Sequence, residues 1–265
     1  MKIYSEVMAD FLASGPDYRV ELPENWMQGR TAFGGFTSAL LIAAIQNDYP
    51  DLPPIRTAQI NFIGPAMDEL RVKHTMLRQG KNNVSLSAAL DSDAGAGTHG
   101  LFTFGVTREL PEQLDYPHRV TDLAPDDAEP FFPIATRAAP SFLSNINRRW
   151  VSGPRFMEGS DNPDMLFWAR LTDEKSWHQG LIPMIILADT PPAAFGFLTK
   201  PFRALSSMSW NINFLTDDFT TEDGWWLMRS ATGFVKNGYS SQVTEVWNSE
   251  GKRVMESTQM QALFV

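Results

Sequence analysis

The hydrophobic and polar positions of the chain form one long, uniformly apolar stretch and several alternating ones. From Gly29 to Tyr49 the sequence is GRTAFGGFTSALLIAAIQNDY, apolar on nearly every helical face after the pair Gly34-Gly35. A helix without a polar face must be surrounded by other protein. A helix of about fifteen residues rises roughly 22 Å, too little to cross a bilayer. We therefore predict a buried central helix that begins at the glycine pair.

Alternating apolar and polar positions after this helix predict an antiparallel sheet. Residues 57–62 alternate with a period of two, which is typical of a half-buried strand. Two further runs flank a turn around Gly80, and another strand follows them. The predicted strands are 57–62, 70–78, 83–90 and 101–107. The first half of the chain is therefore predicted to be a helix followed by an antiparallel meander.

A similar pattern returns in the second half of the chain. The predicted elements there are strands at 142–151 and 165–171, an apolar helix at 182–188, a strand at 208–214, a hairpin at 225–247 and a closing strand at 254–265. Ile212-Asn213-Phe214 repeats Ile60-Asn61-Phe62, and Lys-Asn recurs in the two hairpin turns in the same order. These matches indicate an internal duplication, with two like domains side by side.

The domain boundaries follow from the segment between the halves. Residues 111–140 are acidic and rich in proline, which breaks regular elements and is typical of a linker. We predict an N-terminal domain at 1–110, the linker at 111–140 and a C-terminal domain at 141–265.

Composition removes several classes of function. The chain has 22 Lys and Arg against 31 Asp and Glu, a net charge of −9, and no basic run, so nucleic acid is not expected as a partner. It has no cysteine, and therefore neither disulfides nor a thiol nucleophile. The N-terminus, MKIYSEVMAD, lacks the apolar run of a signal peptide, so we expect a cytoplasmic protein without a membrane partner. The histidines lack ligand-like spacing, so neither a metal nor another cofactor is expected: they are His74, His99, His118 and His178.

An apolar helix opened by two glycines and wrapped by a curved antiparallel sheet, twice in one chain, resembles the double hotdog fold of the acyl-CoA thioesterase II family. The matching stretches are 29–45, 56–66, 166–193, 207–214 and 225–265, the last with its landmarks Gly251 and Ser257-Thr258-Gln259. The resemblance implies an α+β fold with two antiparallel sheets, each wrapped around a central apolar helix. It also implies hydrolysis of an acyl-CoA thioester by direct attack of water, without a covalent intermediate.

The resemblance implies roles for particular residues of the second half. Family members hold the attacking water with an aspartate, a threonine or serine hydroxyl, and a glutamine. The glutamine corresponds to Gln259, and the hydroxyl falls on or beside Thr232. The expected place of the aspartate, five residues before Phe214, holds Ser209, which is not a base at neutral pH. We therefore expect slow hydrolysis that Ser209→Asp should accelerate.

The glycine pair is the candidate for polarising the thioester carbonyl. Exposed N–H groups at a helix start stabilise an oxyanion, and residues without side chains let the carbonyl oxygen approach. Gly35 is therefore a candidate catalytic residue, with Phe33, Gly34 and Asn211 as candidate substrate-binding residues. The alternative is that the glycines merely let the helix pack closely.

Other schemes of catalysis have weaker support in the sequence. It contains no Gly-x-Ser-x-Gly motif, and Ser160-Asp161 lies in a polar segment typical of a turn. His178 precedes the second helix and is a candidate base near the second site, but as a lone histidine it is expected to be an exposed or capping residue. Asp189 follows that helix and is expected to be a helix-end residue rather than a catalytic acid.

Two other functions stay open at this point. One is a non-catalytic module that binds acyl-CoA or an acyl carrier and has lost the base. The other is a hotdog hydratase, which needs an Asp–His pair near the helix that the sequence does not reveal. We also expect a homodimer or higher oligomer of double hotdogs, because aromatic residues of the second half are of the kind enriched at interfaces. These residues are Trp225, Trp226, Tyr239 and Trp247.

Overall fold

The computed structural model describes residues 1–112, 114, 120–131, 139–190, 193–199 and 204–264. The helices are α1 (Tyr4–Ala13), α2 (Gly34–Asp48), α3 (Leu181–Ala188) and α4 (Ala194–Phe197). The strands of the first half are β1 (Arg19–Glu21), β2 (Met27–Gln28), β3 (Thr31–Ala32), β4 (Ile55–Phe62), β5 (Glu69–Gln79), β6 (Asn83–Ser92) and β7 (Gly95–Gly105). Those that follow are β8 (Glu129–Pro130), β9 (Ile146–Ser152), β10 (Asp164–Leu171), β11 (Leu205–Phe214), β12 (Trp226–Lys236), β13 (Tyr239–Trp247) and β14 (Arg253–Leu263).

The long strands of both halves form one antiparallel sheet rather than the two sheets expected from the sequence. Across the described residues its order is β1-β5-β6-β7-β4-β11-β14-β13-β12-β10-β9-β8. The halves meet where β4 pairs with β11, from Ser209 opposite Asn61 to Asn213 opposite Thr57. The Thr57 hydroxyl adds a bond to the Ile212 carbonyl at 2.9 Å. This seam turns two half-sheets into a continuous one.

The order of the strands supports an internal duplication. Outward from the seam, β4, β7, β6 and β5 follow one another on one side, and β11, β14, β13 and β12 on the other. The repeated triplets Ile60-Asn61-Phe62 and Ile212-Asn213-Phe214 lie in the two seam strands, at the end of each. They therefore occupy equivalent places in the sheet, as duplicated halves require.

The predicted central helix is α2, and it is buried along nearly its whole length. Its side chains from Phe36 to Ile45 are inaccessible to solvent or nearly so, and it packs on β5, β6 and β7. It also packs on α3, with Gly35 at the point of contact. A Cβ atom on Gly35 would lie 2.6 Å from the Ile186 carbonyl oxygen of α3. Close packing therefore requires glycine at position 35. The element packed against Gly35 is helix α3 rather than the sheet.

Tertiary contacts changed the start of the predicted strand at 142–151. Residues Ser141–Asn145 form a 3₁₀ helix, and the strand begins only at Ile146. Phe142 stacks on Phe33 with 3.8 Å between ring centroids. The Asn145 side-chain oxygen Oδ1 accepts a hydrogen bond from Nδ2 of the buried Asn25 at 2.8 Å. These contacts to the first half outweigh the local preference for a strand.

Parts of the sequence prediction fall differently in the structure or outside it. The N-terminal segment forms α1, which we did not predict. Of the predicted linker, residues 120–131 include β8, which pairs with β9, whereas His118 lies outside the described residues. The boundaries of the domains stay a prediction. No helix within the described ranges is long and apolar enough to span a membrane.

The aromatic residues proposed for a dimer interface mostly fill the protein's own core. Trp225, Trp226 and Trp247 are at most 2% exposed, whereas Tyr239 is 45% exposed. Three of the four residues are therefore not available to a partner. A homodimer stays a prediction without them.

We expect Gly35→Ala to destabilise the fold. Alanine favours a helix over glycine by about 1 kcal/mol, but its Cβ would force α2 away from α3, and such overpacking costs roughly 1–3 kcal/mol. The matched control is Gly233→Ala in β12, where an added Cβ meets nothing within 4 Å. Chemical denaturation measures both changes, and equal unfolding free energies for the two variants would contradict the packing role of Gly35.

Candidate functional site

A cavity of about 190 Å³ opens at the start of α2, where the two halves of the chain meet. The first half contributes Gly34 and Thr37 of α2 and Phe62 at the end of β4. The second half contributes Asp189, just after α3, and Ser207 of β11. The site is therefore assembled from both copies of the duplicated fold.

Asp189 is the ionisable side chain among the described residues that line this cavity. Helix α3 stops here because the sequence continues Thr190-Pro191, and a residue before proline is disfavoured in the helical conformation. The Asp189 carboxylate accepts a hydrogen bond from Gln259 Nε2 at 2.6 Å and another from the Gly35 backbone N–H. The end of α3 thus places a carboxylate against the start of α2.

Gly34 makes room for this carboxylate. A Cβ atom on Gly34 would lie 2.7 Å from Asp189 Oδ2, which is too close for any side chain. Because Gly34 is the first residue of α2, its N–H has no acceptor within the helix. The Gly35 N–H, by contrast, already bonds the carboxylate. Gly34 is thus the better placed of the two to meet a carbonyl oxygen in the cavity.

The environment of Asp189 gives it an unusual pKa. Burial raises the pKa from 3.8 to about 7, although the bonds from Gln259 and the Gly35 N–H oppose the rise. Asp189 is partly accessible through the cavity it lines, but the surrounding protein still favours its neutral form. A carboxylate with a pKa near neutrality is suited to accept and return a proton.

Ser207 is the hydroxyl that the structure brings to the glutamine. Its Oγ lies 3.4 Å from Gln259 Oε1, and it lines the cavity. The register of β11 against β14 shifts at Met208, so that Ser207 pairs with Gln261 and Ser209 with Met260. This irregularity leaves Ser207 on the helix side of the sheet. The regular alternation assumed in the sequence analysis missed it.

The other predicted residues are distributed unequally around the site. Gln259 is in the site, 96% buried. Ser209 and Asn211 lie on the outer face of β11, opposite the buried Trp210, so neither reaches the cavity. A carboxylate introduced by Ser209→Asp would face away from Gln259, and we no longer expect it to accelerate hydrolysis. Met208, which lies at the register shift, is 43% exposed.

Thr232 and Phe33 are buried but do not line the cavity. Thr232 pairs across β12 and β13 with Gln242, which pairs in turn with Gln259, so two strand spacings of about 4.8 Å separate Thr232 from Gln259. Its hydroxyl has no hydrogen-bond partner among the described residues. Phe33 is the N-cap residue of α2, and its ring stacks on Phe142 instead of facing the cavity.

An Asp–His pair does exist, but at the far end of α2. His74 Nε2 lies 2.9 Å from Asp48 Oδ2, and the Tyr18 hydroxyl donates to the same carboxylate. Asp48 is the last residue of α2, about 20 Å along the helix axis from Gly34. The pair is therefore separate from the cavity and does not support a hydratase site there.

The remaining candidates lie outside the site. His178 is exposed in the turn before α3, and Ser160 bonds the Asn162 carbonyl within its own loop. In the part of the chain that the structure describes, no group of three or more histidines and carboxylates is placed to hold a metal ion.

Sequence reasoning missed the role of Asp189 because it considered only the helix that this residue ends, and not the helix whose start it contacts. The useful signal was that an acidic residue ends the second apolar helix while a glycine pair begins the first. In this duplicated fold the two central helices pack on each other so that those two ends come together.

Comparison with known proteins gives matches over most of the chain. A model of the acyl-CoA thioesterase N-terminal domain matches residues 22–105, and one of the C-terminal domain matches 117–263. A conserved hot dog fold protein of unknown function from Alicyclobacillus acidocaldarius is 19% identical, with a TM-score of 0.83 over 97% of this chain and 98% of that chain. Among curated protein sequences, none matches significantly.

Two named thioesterases are also structurally similar. The acyl-CoA thioesterase II TesB2 from Mycobacterium marinum is 14% identical, with a TM-score of 0.70 over 97% of each chain. A tesB protein from Mycobacterium avium subs paratuberculosis is 14% identical, with a TM-score of 0.69 over 97% of this chain and 99% of that chain. At these identities the likeness shows the fold, which is a hot dog fold of mixed α and β structure.

The raised pKa of Asp189 predicts how stability depends on pH. Between pH 3.8 and about 7 the folded protein retains a proton that the unfolded chain has released, so this group makes unfolding free energy fall as pH rises. The full shift corresponds to at most roughly 4 kcal/mol. In Asp189→Asn this part of the decline should disappear, and the variant should be more stable than the wild type at pH 8. Parallel curves for the two proteins in urea denaturation from pH 4 to pH 8 would refute the assignment.

Proposed function

Because the chain belongs to the acyl-CoA thioesterase family, we propose that it hydrolyses an acyl-CoA thioester by direct attack of water. The observation that carries the proposal is the 2.6 Å contact between Gln259 Nε2 and the Asp189 carboxylate, in a cavity at the start of α2. A base, an amide and a helix start are the groups that such a reaction needs. Ser207 supplies the hydroxyl, in place of Thr232.

Asp189 is the general base of the proposed reaction. It takes a proton from water as the water oxygen attacks the carbonyl carbon of the thioester, forming a tetrahedral intermediate. When the carbon–sulfur bond breaks, Asp189 returns the proton to the leaving thiolate, giving a carboxylic acid and the free thiol of coenzyme A. The near-neutral pKa of Asp189 suits both transfers.

The other groups orient the reactants. Gln259, which bonds the carboxylate, and the Ser207 hydroxyl, which contacts Gln259 and lines the cavity, hold the attacking water. The Gly34 N–H at the start of α2 stabilises the negative charge that develops on the carbonyl oxygen, aided by the positive end of the helix dipole. The absence of a side chain at Gly34 leaves room for the Asp189 carboxylate next to this N–H group.

Asp189 favours an enzyme over a non-catalytic acyl-CoA-binding module. The case for a module depended on the loss of the aspartate at the position of Ser209. Burying a carboxylate without an ion pair is costly, and a pure binding site has no need of it. Perturbed carboxylates of this kind cluster at catalytic sites. A carboxylate next to Gln259 removes the reason for preferring the module.

We expect Asp189→Asn to lower hydrolysis of acyl-CoA by roughly 10²–10⁴-fold, because a general base typically contributes that much. Asparagine keeps the size of the side chain, so acyl-CoA binding should persist. A thiol-release assay across acyl-CoAs of graded length, with binding measured by calorimetry, tests this. Wild-type turnover that survives Asp189→Asn would contradict the role of the base. Tight binding without any wild-type turnover would favour the binding module.

The two serines of β11 provide a matched pair. Ser207→Ala should lower kcat, by roughly 10-fold if one hydrogen bond to the water is lost, because its hydroxyl faces Gln259. Ser209→Ala changes the same residue type two positions away, on the outer face, and should leave kcat unchanged. The reverse ranking in the same thiol-release assay would show that the catalytic face of β11 had been misassigned.

A further inference from the structure

Buried amide side chains form a chain of hydrogen bonds behind Asp189. Gln261 Nε2 donates to Gln259 Oε1 at 3.0 Å and to Gln242 Oε1 at 3.3 Å. Gln242 Oε1 also accepts from the Ala193 backbone N–H at 2.9 Å. Both ends of the chain therefore meet the segment that follows α3, one at Asp189 and the other at Ala193.

The duplication shows that these amides are not required by the fold. Phe102 pairs with Ala58 and Leu86, as Gln259 pairs with Trp210 and Gln242. Ala58 and Trp210 both lie two residues before the isoleucine of the repeated Ile-Asn-Phe triplet, so the two sets of positions correspond.

The corresponding positions differ in chemistry throughout. The first half carries Val84, Leu86, Phe102 and Phe104, and the second half carries Ser240, Gln242, Gln259 and Gln261. All eight are buried. The same fold is filled by apolar side chains in one copy, so the polar set in the other copy serves a different purpose from packing.

The chain of bonds has a defined direction, fixed at its backbone end. The Ala193 N–H can only donate, so Gln242 must present its oxygen to it. That oxygen also faces Gln261, which must therefore present its nitrogen. The same nitrogen meets Gln259, whose oxygen must turn toward it, and this leaves the nitrogen of Gln259 facing Asp189.

We propose that Gln261 is a positioning residue of the thioesterase reaction, which fixes the amide of Gln259 so that its N–H group faces the Asp189 carboxylate. The inference rests on the proposed function for its catalytic meaning. Without Gln261, the Gln259 oxygen keeps only the 3.4 Å contact with the Ser207 hydroxyl, which can equally accept from the amide nitrogen, so the amide can rotate and place its oxygen against Asp189. An acceptor there disfavours the ionised carboxylate, whereas the N–H group favours it.

No other described titratable group faces Asp189 from the elements packed around it. Asp48 is at the far end of α2. On β14, Arg253 is bonded to Glu245, and Glu256 is bonded to Asn213 on the outer face. Burial raises the pKa of Asp189, and the hydrogen bonds from Gln259 and the Gly35 N–H lower it. A change in the titration of Asp189 therefore reports on the amide that contacts it.

The test is Gln261→Met, which keeps the length of the side chain and removes both donors. We expect kcat to fall roughly 10-fold with KM within a factor of two, as for one lost hydrogen bond. The midpoint of the acid limb of the kcat–pH profile should rise by about one pH unit. In a Gln259→Ala background, Gln261→Met should have no further effect on that midpoint. Gln242→Met removes the amide that accepts from the Ala193 N–H, at the other end of the hydrogen-bonded series. It should also raise the midpoint of the acid limb.

Phe104→Leu is the matched control, because Phe104 occupies the place of Gln261 in the first half. It should lower stability and leave the midpoint unchanged. An unchanged midpoint in both Gln261→Met and Gln242→Met, or an equal shift in Phe104→Leu, would overturn the proposal.

The same midpoint can be followed without substrate, through the pH dependence of unfolding free energy relative to Asp189→Asn. If wild-type protein shows no hydrolysis and Gln261→Met still moves this midpoint, the proposed function fails while the positioning of Gln259 stands. If hydrolysis is present and the midpoint does not move, the positioning proposal fails by itself.

Discussion

The contact between the start of α2 and the end of α3 is the constraint on which the rest of the structure depends. A carboxylate at the end of a helix is disfavoured by the dipole of that helix. Here the positive end of α2 and the Gly35 N–H lie against Asp189 and offset that cost in part. The approach is possible only because Gly34 and Gly35 lack side chains. One geometric requirement therefore produces both the packing of the core and the chemistry of the cavity.

The two halves share an architecture but differ in the length of their central helix and in the residues on the inner face of the sheet. In the first half, α2 runs for 15 residues and the inner face of the sheet behind it is apolar. In the second half, α3 runs for only 8 residues, and amides line the inner face where it stops. Because α3 ends at Ala188, Asp189 and Ala193 lie beyond this helix rather than within it. Corresponding places of the two copies thus carry apolar side chains in the first half and amides in the second.

Sequence patterns predicted the elements whose formation is local. The apolar helix at Gly34 and the strands around Gly80 follow from periodicity, and Gln259 followed from its likeness to a family position. Asp189 could not be found this way, because its role comes from another helix that is distant in the chain. Ser207 was hidden by the irregularity at Met208, which breaks the period of two on which strand predictions depend.

The seam between β4 and β11 joins the two duplicated halves into one molecule. It is held by backbone hydrogen bonds, by the Thr57 hydroxyl, and by the burial of side chains such as Ile60 and Trp210. The cavity takes residues from both sides of the seam. Once the copies had specialised, neither could be lost or exchanged alone, and selection would act on the pair as a single heritable unit.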